Sequence, residues 1–333
     1  MQCRATLQVW GRHVPQLSPD DTDMFDELFT ISTLIGILHS CVRLATPYLF
    51  ASLGETFGQR SGVLNLGVDG IMLMGAFFAF YVVFEGHNLW VGVLAAIAIG
   101  MLMGLLKAFV SVTMQSLQGI SGIGLYLFGL GLSSLLFKTL IGSVEGVSGF
   151  RQLAIPFLSD IPGIGHILFN HNALVYLAYL MVPVSWFVIN RTTLGLKIRA
   201  VGHNPEAADT LGVSVNGVRY TTLMIGGALA AVAGASLSIG LQNVFQENMT
   251  NGLGFIAVAL VYFGSWRTIG VLGGSLLFSL VNALQLWVQA LAIPVPSEIA
   301  VMMPYIMTIV VLAFTARQIQ RPAALARSYE RGE

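Results

Sequence analysis

The run Leu94-Ala-Ala-Ile-Ala-Ile-Gly-Met-Leu-Met103 decides the fold class. It carries no charge and shows no alternation of polar and apolar residues. A membrane-spanning strand alternates the two in short segments, so this run reads as helix. It lies inside residues 86 to 106, which hold no Lys, Arg, Asp or Glu. The stretches 108 to 137, 220 to 246, 268 to 297 and 299 to 316 are equally free of charge. A helix needs roughly 20 mostly apolar residues to cross a hydrocarbon slab about 30 Å thick.

The whole chain agrees. Of 333 residues, 55% are hydrophobic and 10% charged, where a soluble domain averages about 25% charged. Sixteen basic and sixteen acidic residues cannot supply a charged skin for so much apolar chain. Mean hydropathy is +0.78. The 37 glycines fit membrane helices, where Gly is more frequent than in soluble ones. Net charge is zero, and the basic residues do not cluster with aromatics, so nucleic acid is not an expected partner. Cys3 and Cys41 stand alone, with neither disulfide framework nor zinc spacing.

The expected fold is an all-α, polytopic bundle of about nine transmembrane helices, eight to ten in range. The spans read as about 30–56, 62–84, 89–110, 118–138, 171–190, 217–240, 250–263, 268–290 and 299–316. Segment 250–263 is short enough to be a half-helix, which a membrane tolerates only where protein buries it. Residues 1–27 combine arginines with an acidic run and lack the apolar core of a cleaved leader. They read as a loosely ordered tail, with 28–316 as the membrane domain and 317–333 as a second tail. Arg43 falls inside the first span, as a boundary marker, a snorkelling side chain or a carboxylate partner.

Basic residues set the orientation. Loop 191–216 holds Arg191, Lys197 and Arg199, and the tail holds Arg317, Arg321, Arg327 and Arg331. Positive charge stays in the cytoplasm. That places this loop and the C-terminus inside and, with an odd span count, the N-terminus outside. The later part of loop 139–170, from Ile161 to Phe169, reads as a segment along the outer surface.

Three groups of residues are candidates for function. In Gln59-Arg-Ser-Gly-Val-Leu-Asn-Leu-Gly-Val-Asp-Gly, Asn65 and Asp69 share a face if helical, and a carboxylate at the edge of an apolar run is a functional candidate. Its glycine spacing permits close helix contact or a broken helix beside a transport path. Within Gly202-His-Asn-Pro-Glu-Ala-Ala-Asp-Thr-Leu-Gly212, Asn204 caps a short helix, Pro205 starts it, Glu206 favours its positive end and Gly212 stops it. His203 flanks it, and Ala207, Ala208 and Leu211 offer a small apolar face, either an ordinary loop or a peg for a soluble partner. Asn282, Gln285 and Gln289 recur at helical spacing, and Gln115 and Gln118 behave similarly. Such amides hydrogen-bond other helices, or sugar hydroxyls and nucleobase edges, with Phe255 or Trp287 available to stack on a ring.

No G-x-x-x-x-G-K-[ST], H-E-x-x-H, G-x-S-x-G or Cys/His cluster occurs, so no ATPase or enzyme site is expected in this chain, and no metal or cofactor. An ATP-independent carrier or channel, with Asp69 and Arg43 as ion-coupling groups, is the rival from another class.

The run 58–75 and the stretch 195–212 resemble the permease subunits of bacterial ABC importers for nucleosides and simple sugars, the branched-chain amino acid/ribose-type permease family. Gly254-Phe-Ile-Ala-Val-Ala-Leu, Met303-Pro-Tyr-Ile-Met-Thr and the tail Pro322-Ala-Ala-Leu also fit, and the likeness spans about residues 30 to 333. The resemblance implies that His203 to Gly212 form a cytoplasmic coupling helix seated in a partner ATPase, which binds the ATP and Mg. It implies a second homologous permease, making a heterodimer or else a homodimer, and an extracytoplasmic substrate-binding lipoprotein. It implies a bacterial inner-membrane location, with nucleoside as first substrate class and simple sugar as second. The family usually has Glu where Asp69 stands and Glu where Gln59 stands.

Overall fold

The structure is a computed structural model that describes residues 30–155, 159, 164–291, 297–315 and 321–330. The tail 1–27 and part of loop 139–170 lie outside the described residues. In chain order the helices are α1 (Ile31–Arg60), α2 (Val68–Phe84), α3 (Leu89–Ala108), α4 (Gln118–Leu140), α5 (Ile164–Leu168) and α6 (Ala173–Arg191). They continue with α7 (Thr193–His203), α8 (Pro205–Thr210), α9 (Val215–Ala235), α10 (Leu253–Phe263), α11 (Thr268–Ala290) and α12 (Ser297–Thr315). Wide π-turns extend α3 over Phe109–Thr113 and α9 over Ser236–Gln242. A two-stranded antiparallel ribbon, β1 (Gln152–Ala154) with β2 (Asn170–Asn172), closes the long connection before α6.

Side chains set several starts. Asn88, Asn172, Thr192, Asn204 and Ser214 each accept a backbone N–H at the head of α3, α6, α7, α8 and α9. These caps satisfy donors that a helix leaves unpaired in its first turn.

Helix α9 is the centre of the bundle and packs on α3, α1 and α2. Small residues permit the approach: a Cβ on Gly100 of α3 would overlap the Gly227 carbonyl of α9. The outer helices turn apolar side chains outward, with Leu127, Phe128 and Leu135 of α4 and Leu180 and Phe187 of α6 all exposed. An apolar exterior around a core that holds buried Glu55, Asp69, Lys107 and Arg219 is the pattern of a chain solvated by lipid.

Six helices among the described residues are long and apolar enough to cross a membrane: α1, α3, α4, α6, α9 and α11, counting the π-turns of α3 and α9. This corrects the expectation of about nine full crossings. Two expected spans are partial helices. α2 has 17 residues and α10 has 11, or about 26 and 16 Å at 1.5 Å per residue. The last, 299–316, coincides with α12, which is not among the six.

Both partial helices are completed by non-helical chain. Residues 61–67 run along α4 before α2 begins, and most of them are buried. Backbone at that depth must be satisfied by protein. The Val63 amide donates to the Gly58 carbonyl, Leu64 to Gln118 Oε1 at 2.8 Å, Asn65 to Glu55 Oε1 at 3.0 Å and Gly67 to Asn65 Oδ1 at 2.9 Å. On the other side of the fold, residues 243–252 descend from buried Phe245, which packs on Phe77, Phe80 and Phe137, to the head of α10. Asn243, Asn248, Asn251 and Gly252 in this descent have φ between 42° and 85°, the left-handed region that Asn and Gly tolerate best.

Candidate functional site

One cavity, of about 210 Å³, lies where α1, the 249–253 segment, α10, α11 and α12 meet. Tyr48, Thr250, Asn251, Asn282, Gln285 and Tyr305 present its polar atoms, and Phe278 and Ile256 its apolar wall. Hydroxyls, amides and aromatic rings line it, and among the described residues no charged side chain does. Tyr48 stands about 18 Å along α1 from Arg60, and Asn282 about 21 Å along α11 from Thr268. Those ends carry Arg60 and Arg267, so the cavity lies well inside the bundle, away from the basic end.

The path residues expected from the sequence separate into three groups. Asn282 and Gln285 line the cavity. Asp69 stands behind its wall: Thr250 Oγ1 donates to Asp69 Oδ2 at 3.0 Å, and the Gly254 amide donates to Oδ1 at 2.8 Å. The others lie elsewhere. Asn65 and Gln118 satisfy the 61–67 backbone. Gln115 reaches the Tyr329 carbonyl. Phe255 packs edge-on against Tyr126, and Gln289 is exposed near the end of α11.

At the basic end, buried polar groups bind one another and the backbone, and Glu55 and Trp266 among them had no place in the sequence reading. Glu55 is 3% exposed; its Oε1 accepts from the Asn65 amide and from Gln59 Nε2, both at 3.0 Å. Gln59 Oε1 in turn accepts from Trp266 Nε1 at 2.8 Å. Lys107 Nζ donates to the Gln118 carbonyl at 2.7 Å and to Ser121 Oγ at 2.8 Å. Glu55 was legible as a lone carboxylate in the first span, four residues before Gln59.

The candidate coupling helix α8 is capped as expected, with Asn204 Oδ1 accepting from the Ala207 amide at 3.0 Å. Its faces are distinct. Ala208 is 2% exposed and packs into the core, whereas Leu211 is 83% exposed. His203, Asn204, Glu206, Ala207 and Gly212 are exposed with it. The outward face therefore consists of those residues and Leu211. A strap from the tail closes the same end: the Ala324 amide donates to the Gly202 carbonyl and the Ala326 amide to that of Gly62, both at 3.0 Å.

At the opposite end, His171 is buried against the stacked ring of His39, 4.4 Å between centroids, and its Nε2 pairs with the Ile167 carbonyl at 2.7 Å. Burial first, against the help of that carbonyl, pushes its pKa down to about 4.

Residues 37–312 match the family model described as "Branched-chain amino acid transport system / permease component". The chain is 40% identical over 331 residues to the "Putative glucose ABC transporter permease protein TsgC13" of Haloferax volcanii, covering 90% of this chain and 99% of that one. It is 34% identical over 318 residues to the "Guanosine ABC transporter permease protein NupQ" of Bacillus subtilis, covering 91% and 99%. It is 33% identical over 312 residues to the "Nucleoside ABC transporter permease protein NupC" of Lactococcus lactis, covering 90% and 98%.

Proposed function

We propose that this chain, which belongs to the family of branched-chain amino acid transport system permease components, moves a neutral, hydroxyl-rich solute, a simple sugar or a nucleoside. The chain is a multi-pass, non-catalytic permease component of an ABC transport system. The proposal concerns what it carries and how it is driven. The observation that carries it is the cavity lining: amides and hydroxyls that pair with ring hydroxyls, aromatic walls that cover a ring face and, among the described residues, no charge that a charged solute would need.

The sequence reading put nucleoside first. The relatives favour keeping sugar at least level with it, since the 40% identical one is named for glucose and those at 34% and 33% for guanosine and nucleoside. Sugar is taken as the first reading here and nucleoside as the second. The outward face of α8 seats in a groove of the ATPase, which holds ATP and Mg. The tail and α8 are cytoplasmic, because Arg60, Arg199 and Arg267 gather at that end. A second, similar permease completes the path, a substrate-binding lipoprotein delivers the solute, and the membrane is a bacterial inner one.

The test is uptake of labelled glucose by cells carrying the whole importer, with unlabelled guanosine as competitor. Glucose uptake lost on deleting this chain, and unaffected by guanosine, supports a sugar permease. Guanosine uptake lost on deletion, without any glucose uptake, replaces sugar with nucleoside. Loss of neither refutes both.

A further inference from the structure

Asp69 does not line the cavity, yet it is bonded to a residue that does. It occupies the first turn of α2, and the Gly254 amide that it accepts belongs to the first turn of α10. Two partial helices thus meet head to head inside the bundle, entered from opposite ends by the non-helical chains 61–67 and 243–252. Each head carries unpaired N–H groups and partial positive charge. The Asp69 carboxylate lies in the first turn of α2 and accepts from the head of α10. The fit is tight: a Cβ on Gly254 would overlap the Asp69 backbone.

The segment held there is a cavity wall. Met249, Thr250, Asn251 and Leu253 all line the cavity. Asn248, Asn251 and Gly252 adopt positive φ, so the segment follows an irregular path that regular helix bonding does not hold. Among the described residues, two of the bonds that fix this wall to the rest of the bundle end on Asp69, from the Thr250 hydroxyl and the Gly254 amide. Bonds such as Asn251 N–H to the Asn248 carbonyl and Leu253 N–H to the Thr250 carbonyl stay within the segment and cannot anchor it.

We propose that Asp69 is a positioning residue for solute passage: its carboxylate pins the 249–254 segment and so places Thr250 and Asn251 at the cavity. The inference rests on the reading of that cavity as part of the solute path. Asp69 acts through its bonds to the 250–254 segment, the Gly252 amide also lying against its carboxylate, and does not touch the solute. Asparagine at this position keeps an oxygen for the Gly254 amide and offers an N–H to the Thr250 hydroxyl, so it preserves the pinning while removing the charge. Alanine removes both bonds.

The test uses the full importer in lipid nanodiscs and proteoliposomes, with Cys3 and Cys41 replaced by Ser and a nitroxide spin label on Met249→Cys. Asp69→Ala is expected to mobilise the label, and Asp69→Asn to leave it as ordered as in the parent. For labelled glucose or guanosine, whichever the parent carries, Asp69→Ala is expected to raise KM about tenfold or more, with ATP hydrolysis retained at saturating solute. Asp69→Asn is expected to stay within about threefold of the parent. Thr250→Val, which removes one bond and keeps the other, is expected to give intermediate label mobility, and it stands in if the Ala variant does not reach the membrane. A label equally ordered in the parent, Asp69→Ala and Thr250→Val overturns the positioning role. A parent importer that carries neither solute overturns the reading of the cavity, and the label spectra still decide the pinning.

Discussion

Leu211→Ala separates partner docking from folding. Leu211 is 83% exposed at the end of α8. Burying a whole leucine side chain is worth about 1.5–3 kcal/mol. A groove that covers the exposed part gains about 1.2–2.5 kcal/mol from it, which is a factor of roughly 8 to 60 in affinity. Truncation to Ala forfeits most of that. The isolated permease should be indifferent, because an exposed side chain away from special features contributes within about 0.5 kcal/mol of zero. Ala208→Leu is the converse. Ala208 is 2% exposed against the core, so the larger side chain overpacks it at a cost of about 1–3 kcal/mol. The assay is binding of the purified ATPase subunit to the permease in nanodiscs, with thermal unfolding of the permease alone beside it. The expected result is weaker ATPase binding by roughly tenfold for Leu211→Ala at unchanged Tm, and a lowered Tm for Ala208→Leu. Unchanged ATPase affinity in Leu211→Ala refutes the assignment of the outward face.

Other perturbations have equally definite outcomes. Gly100→Val puts side-chain atoms where the Gly227 carbonyl lies; it should destabilise the chain by more than the about 1–3 kcal/mol of ordinary overpacking, read as a lowered Tm, because backbone cannot give way as a side chain can. His171 titrates at about 4 in the fold against 6.5 unfolded. Below pH 6.5 the unfolded chain binds a proton that the folded chain refuses, so stability is full above pH 6.5 and falls until about pH 4. Thermal unfolding of the parent should weaken over that window more than that of His171→Gln. Deleting residues 321–333 removes the Ala324 and Ala326 bonds to Gly202 and Gly62, which should destabilise the basic end by about 1–3 kcal/mol, read as faster amide exchange in α7 and α8.

How much of this was legible in the sequence follows from what each signal reports. Charge-free length places α3, α4, α9 and α11 within a few residues, because a helix that crosses lipid has few other options. Hydropathy counts side chains and is blind to backbone shape, so 62–84 reads as one span although its first residues are non-helical. The hints were there in Gly62, Asn65 and Gly67, but the groups that make non-helical chain tolerable, Glu55 and Gln118, come from α1 and α4 and are linked only by folding. Amide spacing put Asn282 and Gln285 on one face of α11, and both line the cavity. Gln289, one turn further on, faces out, and Gln115 and Gln118 serve backbone and tail. Spacing gives a shared face, not what covers it. The inner and outer faces of α8 were illegible because Ala207 and Ala208 are chemically identical and only packing tells them apart.

The most direct test of the central claim is uptake of labelled glucose and guanosine into inverted-free, right-side-out membrane vesicles containing the complete importer, with internal ATP set independently of the membrane potential. An ATP-driven permease predicts uptake that stops when ATP is removed and persists when the potential is collapsed. Uptake that persists without ATP and stops with the potential contradicts the account and makes the chain a secondary carrier.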